Sequence, residues 1–347
     1  MFFPKKEILN KGIISKDKPI SYDHKKKITL SREIEDYDEV SLFISEQNKM
    51  SSGNYTLLPT YQIKTFDNLN SLAILMRGEN KKLYGTIFSI PLPIRSDNEI
   101  ISHGCTSFLN IHSKLRGFNM CMILIRELAS YGYEKNIYCS YQMSSFKMCD
   151  NSFEISSWYR PINLMKCLGL GFVYPGYNEI KEFTKNIMLY KCKTPKGYSV
   201  KKVKDVERAY NFYISLIENK KFAFYPDLDF FKNWINQFPT YLVKYNKIDV
   251  GIFSITSIHC KTSIEGKLCL PVTFNCIENN NKVNVLKCLL SVAEEKGYDA
   301  LYTHSVGDLD EITLKNVNSV KTKENSWFSI YNNNIDLTVK DLYIPLL

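Results

Sequence analysis

Residues Gly104 to Leu128, GCTSFLNIHSKLRGFNMCMILIREL, decide how the rest of the chain is read. Thr106 to Ile111 is apolar and β-branched, which predicts a buried strand. From Met120 the apolar residues Met120, Ile123, Leu124 and Leu128 recur at the spacing of one helix face, so a helix is expected over Asn119 to Tyr131. Between strand and helix lies the turn Leu115-Arg116-Gly117-Phe118-Asn119. A helix start carries unpaired backbone N–H groups and partial positive charge, so an arginine at its mouth makes this turn a candidate anion site. The same residues also suit an ordinary strand-turn-helix unit that binds nothing.

Working outward, Gly132-Tyr133 is expected to end the helix, with Gly132 available for the left-handed cap. Lys82 to Pro91 (KLYGTIFSIP) reads as a strand and Ile100 to Ile111 as one or two more. Ile137 to Tyr141 is a further strand, Ser156 to Asn163 leads into a short helix ending near Gly169 or Gly171, and Thr184 to Tyr190 returns as a strand. Leu30 to Gln47 predicts a short helix, preceded by a basic, aperiodic arm. Lys191 to Lys204 (KCKTPKGYSVKKVK), with Pro195 and Gly197, reads as a linker between domains spanning 1–190 and 205–347.

Beyond that linker the chain repeats its plan. Ile87-Phe88-Ser89-Ile90 recurs as Ile252-Phe253-Ser254-Ile255, and Gly132-Tyr133 as Gly297-Tyr298, both at an offset of 165 residues (252 minus 87, 297 minus 132). Two short matches can arise by chance, but the shared offset also lays strand on strand and helix on helix, which favours a duplicated domain. In that frame Arg116 falls on Asn281, so the first half is expected to hold the anion and the second half a second substrate.

The totals bound the answer. With 347 residues, 44% of them hydrophobic, the chain can bury a large core. No apolar run reaches the roughly 18 residues needed to span a bilayer, and MFFPKKEILNKG lacks a secretory cleavage pattern, so a soluble, cytoplasmic protein is expected. The 10 cysteines include no CxxC pair and the 5 histidines do not join them at metal-ligand spacing, so neither disulfides nor a metal is expected. Lys plus Arg exceed Asp plus Glu by 45 to 36. Clusters such as Lys25-Lys26-Lys27 read as solvated faces, because no nucleic-acid module accompanies them.

Several motifs, in order, resemble one family: Phe108-Leu109-x-x-His112-x-Lys114-Leu115-Arg116, Leu124-Ile125-Arg126-Glu127, Trp158-x-Arg160-x-x-Asn163, and Leu189-Tyr190 followed by Thr194-Pro195-Lys196. The block from about Leu83 to Tyr190 is similar to the acyl-CoA-binding half of glycylpeptide N-tetradecanoyltransferases (N-myristoyltransferases). The resemblance implies an α/β fold of two tandem acetyltransferase-like (GNAT) domains with a pseudo-twofold internal duplication, acting as a monomer on myristoyl-CoA and on the N-terminal glycine of peptides or proteins.

It further implies that backbone N–H groups of Phe108 and Leu109 form an oxyanion hole, and that Phe108, Leu109, Asn110, Ile111 and the turn Arg116, Gly117, Phe118, Asn119, Met120 and Cys121 hold the acyl-CoA. The base would be the terminal carboxylate of Leu347, and Met143, Tyr159 and Phe172 would line the acceptor site. The family's glycine-rich loop has no counterpart, since Asn316 to Asn325 (NVNSVKTKEN) contains no glycine. Two other readings therefore stay open: a silent acyl-CoA or acyl-protein binder, and an N-acetyltransferase using acetyl-CoA.

Overall fold

The computed structural model describes residues 20–22, 26–52, 56–117, 119–145, 147–148, 152–170, 192–277, 279–331 and 335–347. The first half runs β1 (Ile20–Tyr22), β2 (Lys26–Ser31), α1 (Tyr37–Ser52), β3 (Thr56–Leu58), α2 (Thr60–Asn68), β4 (Leu72–Gly78), β5 (Leu83–Ser96), β6 (Glu99–Ile111), α3 (Met120–Glu134), β7 (Cys139–Ser144), β8 (Ser152–Pro161) and α4 (Leu164–Gly169). The second half runs β9 (Tyr198–Lys202), α5 (Val206–Ile217), β10 (Phe222–Phe224), α6 (Leu228–Gln237), β11 (Thr240–Tyr245), β12 (Ile248–Lys261) and β13 (Glu265–Cys276). It ends with α7 (Asn279–Glu295), β14 (Ala300–His304), α8 (Glu311–Lys315), β15 (Val320–Tyr331) and β16 (Leu342–Tyr343).

One sheet joins the halves, in the order β1-β2-β4-β5-β6-β7-β15-β8-β14-β13-β12-β11-β9. Outward from the central β15/β8 pair, β7 mirrors β14, β6 mirrors β13, β5 mirrors β12, β4 mirrors β11 and β2 mirrors β9. Within this path β6 with β7 and β13 with β14 are the parallel pairs. Strands β5 and β12 begin and end 165 residues apart (83 to 248, 96 to 261), the offset of the sequence repeat. The halves also exchange small strands: β3 pairs with β12, and β10 with β5.

Alternation along each strand sorts its side chains onto two faces. On one face of the first half, Met120, Leu124 and Leu128 of α3 pack with Ile74, Met76 and Ile87. In the second half Val285, Leu289 and Val292 of α7 pack with Phe253 and Ile255. The opposite faces share a central core in which Phe88, Ile90, Tyr141 and Phe222 meet Trp234, Ile252, Ile344 and Leu346. Chain from both halves therefore walls the space between them.

Three expectations are corrected by this geometry. Gly132 lies inside α3, where an added Cβ would come within 3.1 Å of the Ile137 carbonyl oxygen; Asn136, with φ 59°, takes the left-handed position instead. The Ile137 N–H then donates to the Gly132 oxygen at 2.8 Å, as the Tyr298 N–H donates to the Ala293 oxygen at 3.0 Å around Gly297, so Asn136 is the partner of Gly297. Asn281 is not the partner of Arg116, because α7 starts at Asn279 directly after β13, leaving no room for a turn like that between Ile111 and Met120. Part of the expected linker, Tyr198–Lys202, is edge strand β9 paired with β11. The strand expected at Thr184 to Tyr190 and residues 1–19 of the expected arm lie outside the described residues.

Candidate active site

The site begins at a break in the β5/β6 ladder. Thr86 faces Asn110 and Phe88 faces Ser107, so Ile87 opposes both Phe108 and Leu109, which is a β-bulge. Phe108 sits at φ 52°, a conformation an L side chain adopts only when its surroundings impose it. Here the Thr86 hydroxyl donates to the Phe108 carbonyl at 2.9 Å. The ring of Phe108 is held between Phe66 at 5.4 Å and Phe88 at 5.9 Å. A bulge withdraws backbone donors from the ladder, the local condition an oxyanion hole requires.

The chain end arrives at this bulge from the other half. Strand β16 pairs in parallel with β10. Ile344 and Leu346 are buried, and the Tyr141 hydroxyl donates to the Pro345 carbonyl at 2.9 Å. Burial pushes the Cys105 thiol up to about 11, against hydrogen bonds with the Tyr141 hydroxyl and the backbone of Leu347 that pull it down. The Tyr141 hydroxyl thus ties Pro345 to strand β7. Leu347 and Phe108 line one pocket, with Gln62, Phe66, Thr256 and Leu270 among its walls.

Beyond the bulge, Ser113–Leu115 makes one 3-10 turn, and Leu115 is buried beneath α3. Arg116 is exposed and its Nε donates to the Ile111 carbonyl at 3.3 Å. Gly117 has φ 87° with nothing within 4 Å of where a Cβ would stand, and Asn119 starts α3 from a left-handed φ of 56° without a side-chain cap. The helix therefore opens with uncapped N–H groups. Partial burial, then the charges of Lys82, Lys114 and Arg116, lower the His112 pKa, which reports a positive field at this mouth.

The residues expected in the site do not all converge. Asn110 and Ile111 continue β6, and Ile111 packs against α3. Met120 is 2% exposed and belongs to the core; Cys121 is half-buried in the first turn of α3. Met143 lies on β7 opposite Phe328. Tyr159 lies on β8 against Tyr302, ring centres 5.0 Å apart. Neither Met143 nor Tyr159 lines the pocket that holds Phe108 and Leu347. Phe118 and Phe172 lie outside the described residues. Sequence reasoning missed Gln62, Phe66, Phe238, Thr256, Ile258 and Leu270, which reach the pocket from α2, the end of α6, β12 and β13. Among the described residues no group of three or more His, Cys, Asp or Glu could hold a metal, and no helix is long and apolar enough to cross a membrane.

The mirrored sheet with its two parallel pairs is an α/β architecture. Residues 41–149 match the family model described as Myristoyl-CoA:protein N-myristoyltransferase, N-terminal domain. The fold is similar to that of Saccharomyces cerevisiae N-myristoyltransferase solved with bound myristoyl-CoA: the TM-score is 0.77 at 13% identity, over 95% of this chain and 87% of that one. A second structure of that enzyme with myristoyl-CoA gives 0.78 at 12% identity, over 95% and 92%. A third, with inhibitors also bound, gives 0.76 at 15%, over 91% and 82%. No curated protein matches the sequence. Residues 41–149 thus resemble the N-terminal domain of that family, and the chain shares the fold of N-myristoyltransferase.

Proposed function

We propose that the protein transfers the acyl group of myristoyl-CoA to the N-terminal glycine amine of peptides or proteins. The observation that carries this reading is that Leu347 and the strained bulge residue Phe108 line one pocket. In the proposed reaction the thioester carbonyl oxygen accepts hydrogen bonds from the backbone of Phe108 and Leu109, where preorganised donors are worth a few kcal/mol in the transition state. The coenzyme A phosphates rest on the turn Arg116 to Cys121, which offers uncapped helix N–H groups, open space at Gly117 and the charges of Lys82, Lys114 and Arg116.

An α-amine with a pKa of about 8 is mostly protonated at neutral pH and cannot attack. The carboxylate of Leu347 takes that proton, the free amine attacks the thioester carbon, the C–S bond breaks as the new C–N bond forms, and the second proton lost by the attacking nitrogen passes to the departing sulfur, so that coenzyme A leaves as its thiol. No acyl-enzyme is required.

The test is to lengthen the chain by three residues beyond Leu347, which carries the carboxylate away from the bulge. The proposal expects kcat with myristoyl-CoA and a glycine-initiated octapeptide to fall at least about 100-fold, with thioester binding retained. An unchanged kcat rules out the terminal base. Binding of myristoyl-CoA by the unextended protein without turnover of any acceptor supports the silent binder instead, and a preference for acetyl-CoA supports the N-acetyltransferase.

A further inference from the structure

The second half of the sheet ends at one corner on a turn that carries both apolar surface and an excess of positive charge. Tyr245 and Ile248 face one another across the two-residue connection Asn246-Lys247 between β11 and β12. Ile248 is 67% exposed and Tyr245 42% exposed, so the tip offers carbon surface to the solvent. Asn246 at φ 47° and Lys247 at φ 72° give the left-handed pair that a tight hairpin needs, and glycine is the residue favoured at the second place. The chain holds a lysine there instead.

Edge strand β9 widens the corner. Its Tyr198 lies opposite Tyr245, ring centres 4.7 Å apart, and the Asn246 N–H donates to the Gly197 carbonyl at 3.0 Å, which brings Lys196 beside the turn. Over residues 196–202 and 240–250 the charged side chains are Lys196, Lys201, Lys202, Lys244, Lys247 and Asp249. Asp249 is already matched, by Arg208 at 2.7 Å and Lys244 at 3.8 Å. Glu294 accepts from the Cys192 N–H at 3.1 Å, and the charge of Glu295 reaches Tyr241 opposite Lys202, so these two carboxylates offset Lys193 and Lys202. Lys196, Lys201 and Lys247 remain as the exposed excess around the tip.

Lysines on an open edge also guard against strand pairing. That role covers Lys201 and does not account for an exposed isoleucine, tyrosine and lysine on the turn itself. An apolar and aromatic tip ringed by cations suits the boundary of an anionic bilayer, where carbon surface enters the headgroup region and lysines face acidic lipid. RNA would use the lysines and leave Ile248 in water. We propose that this corner docks the protein on an anionic lipid bilayer. The pocket residue Thr256 follows Ile248 by eight residues of β12 (256 minus 248), about 26 Å at the rise of a strand, so the docking residues are remote from the pocket. The proposal goes beyond the transferase reading and does not depend on it.

The experiment sediments the whole chain with vesicles of phosphatidylcholine alone and of phosphatidylcholine mixed with phosphatidylserine. Binding is expected to the mixed vesicles at low salt, and it should weaken as salt is added. Lys196→Glu/Lys247→Glu should weaken it at least about tenfold, and Ile248→Ser several-fold. Lys261→Glu/Lys315→Glu makes the same net charge change at exposed lysines elsewhere and should bind close to wild type. Each substituted residue is exposed, and equal melting temperatures confirm that the variants fold. No binding to the mixed vesicles, an Ile248→Ser variant that binds as wild type, or a control variant that loses as much as the corner variant overturns the proposal. Retention of an RNA duplex in place of the vesicles overturns it in favour of a nucleic acid. Vesicle binding without turnover of any octapeptide leaves the proposal standing and the transferase reading in default; turnover without vesicle binding does the reverse.

Discussion

The two hairpin-helix units of this chain have the same plan and opposite treatment of their splayed ends. In the first, Phe108 bulges at φ 52°, and the stretch between Ile111 and Met120 separates strand from helix, leaving a mouth lined by Arg116, Gly117 and uncapped N–H groups. In the second, the ladder also shifts register, between Ser254 and Ile255 opposite Val272, but Val272 keeps an ordinary negative φ and is 2% exposed. Its helix α7 follows β13 at once, and Lys282 in the first turn bonds to Asp308 at 3.3 Å and Asp310 at 3.2 Å. Burial pulls the Lys282 pKa down, but the two carboxylates outweigh it and hold the ammonium charged. Leu342, Tyr343, Ile344 and Leu346 line the remaining cavity between β13 and β14. One architecture thus has an open end where the strand-to-helix stretch is long, and a closed one where internal carboxylates and the residues Leu342 to Leu346 occupy it.

The difference can be broken most severely at the closed end. Asp308 accepts from the Cys276 N–H at 2.9 Å and from the Tyr343 hydroxyl at 3.2 Å besides pairing with Lys282. Asp308→Ala leaves a buried ammonium without the more buried of its two carboxylate partners and should cost about 3–5 kcal/mol in denaturant unfolding. A loss below about 1 kcal/mol would mean that water reaches Lys282 and that this end is not sealed.

A smaller effect comes from pH. His304 sits at the same end, its Nδ1 3.1 Å from the Ser157 hydroxyl, and burial lowers its pKa from 6.5 to about 4. Between those values the unfolded chain binds a proton that the folded one refuses, so stability falls as pH drops from 6.5 towards 4, by roughly 3 kcal/mol for this group. His103 and His259 shift in the same direction, so the contribution is isolated by comparing wild type with His304→Gln, whose acid limb should be shallower. Identical limbs would contradict a dry, closed end.

At the open end the expected effect on stability is smaller still. Thr86→Val removes the bond that pins the Phe108 carbonyl and should cost about 1 kcal/mol. If the bulge orients the thioester, kcat should fall more than this substitution changes KM; equal catalysis would leave the bulge a purely structural feature.

Much of this was legible in the sequence. The strand and helix around Gly104 to Leu128 follow from their periodicities, and the offset of 165 residues equals the spacing of β5 and β12, although the strand expected at Lys82 to Pro91 runs from Leu83 to Ser96. It failed for the helices, because the first half carries extra residues between Ile111 and Met120 that the second lacks, so the Gly-Tyr match paired positions that are not equivalent. A non-glycine residue such as Asn136 can fill the left-handed cap, which hides the true correspondence. The pocket walls were illegible for a different reason. Gln62 meets the Ser257 carbonyl across 195 residues of sequence, and Tyr141 meets Pro345 across 204, contacts that only the exchanged strands and the mirrored sheet bring about. Tyr159 and Met143 were assigned by motif order alone, which carries no information about which face of a strand a side chain occupies.

The most direct measurement is a calorimetric titration of the protein with myristoyl-CoA. The contrast between the two ends predicts one site per chain, weakened by roughly 1.5–3 kcal/mol in Arg116→Ala and unaffected in Asn281→Ala. Two sites per chain, no binding at all, or an affinity that ignores Arg116 while responding to Asn281 would contradict the account.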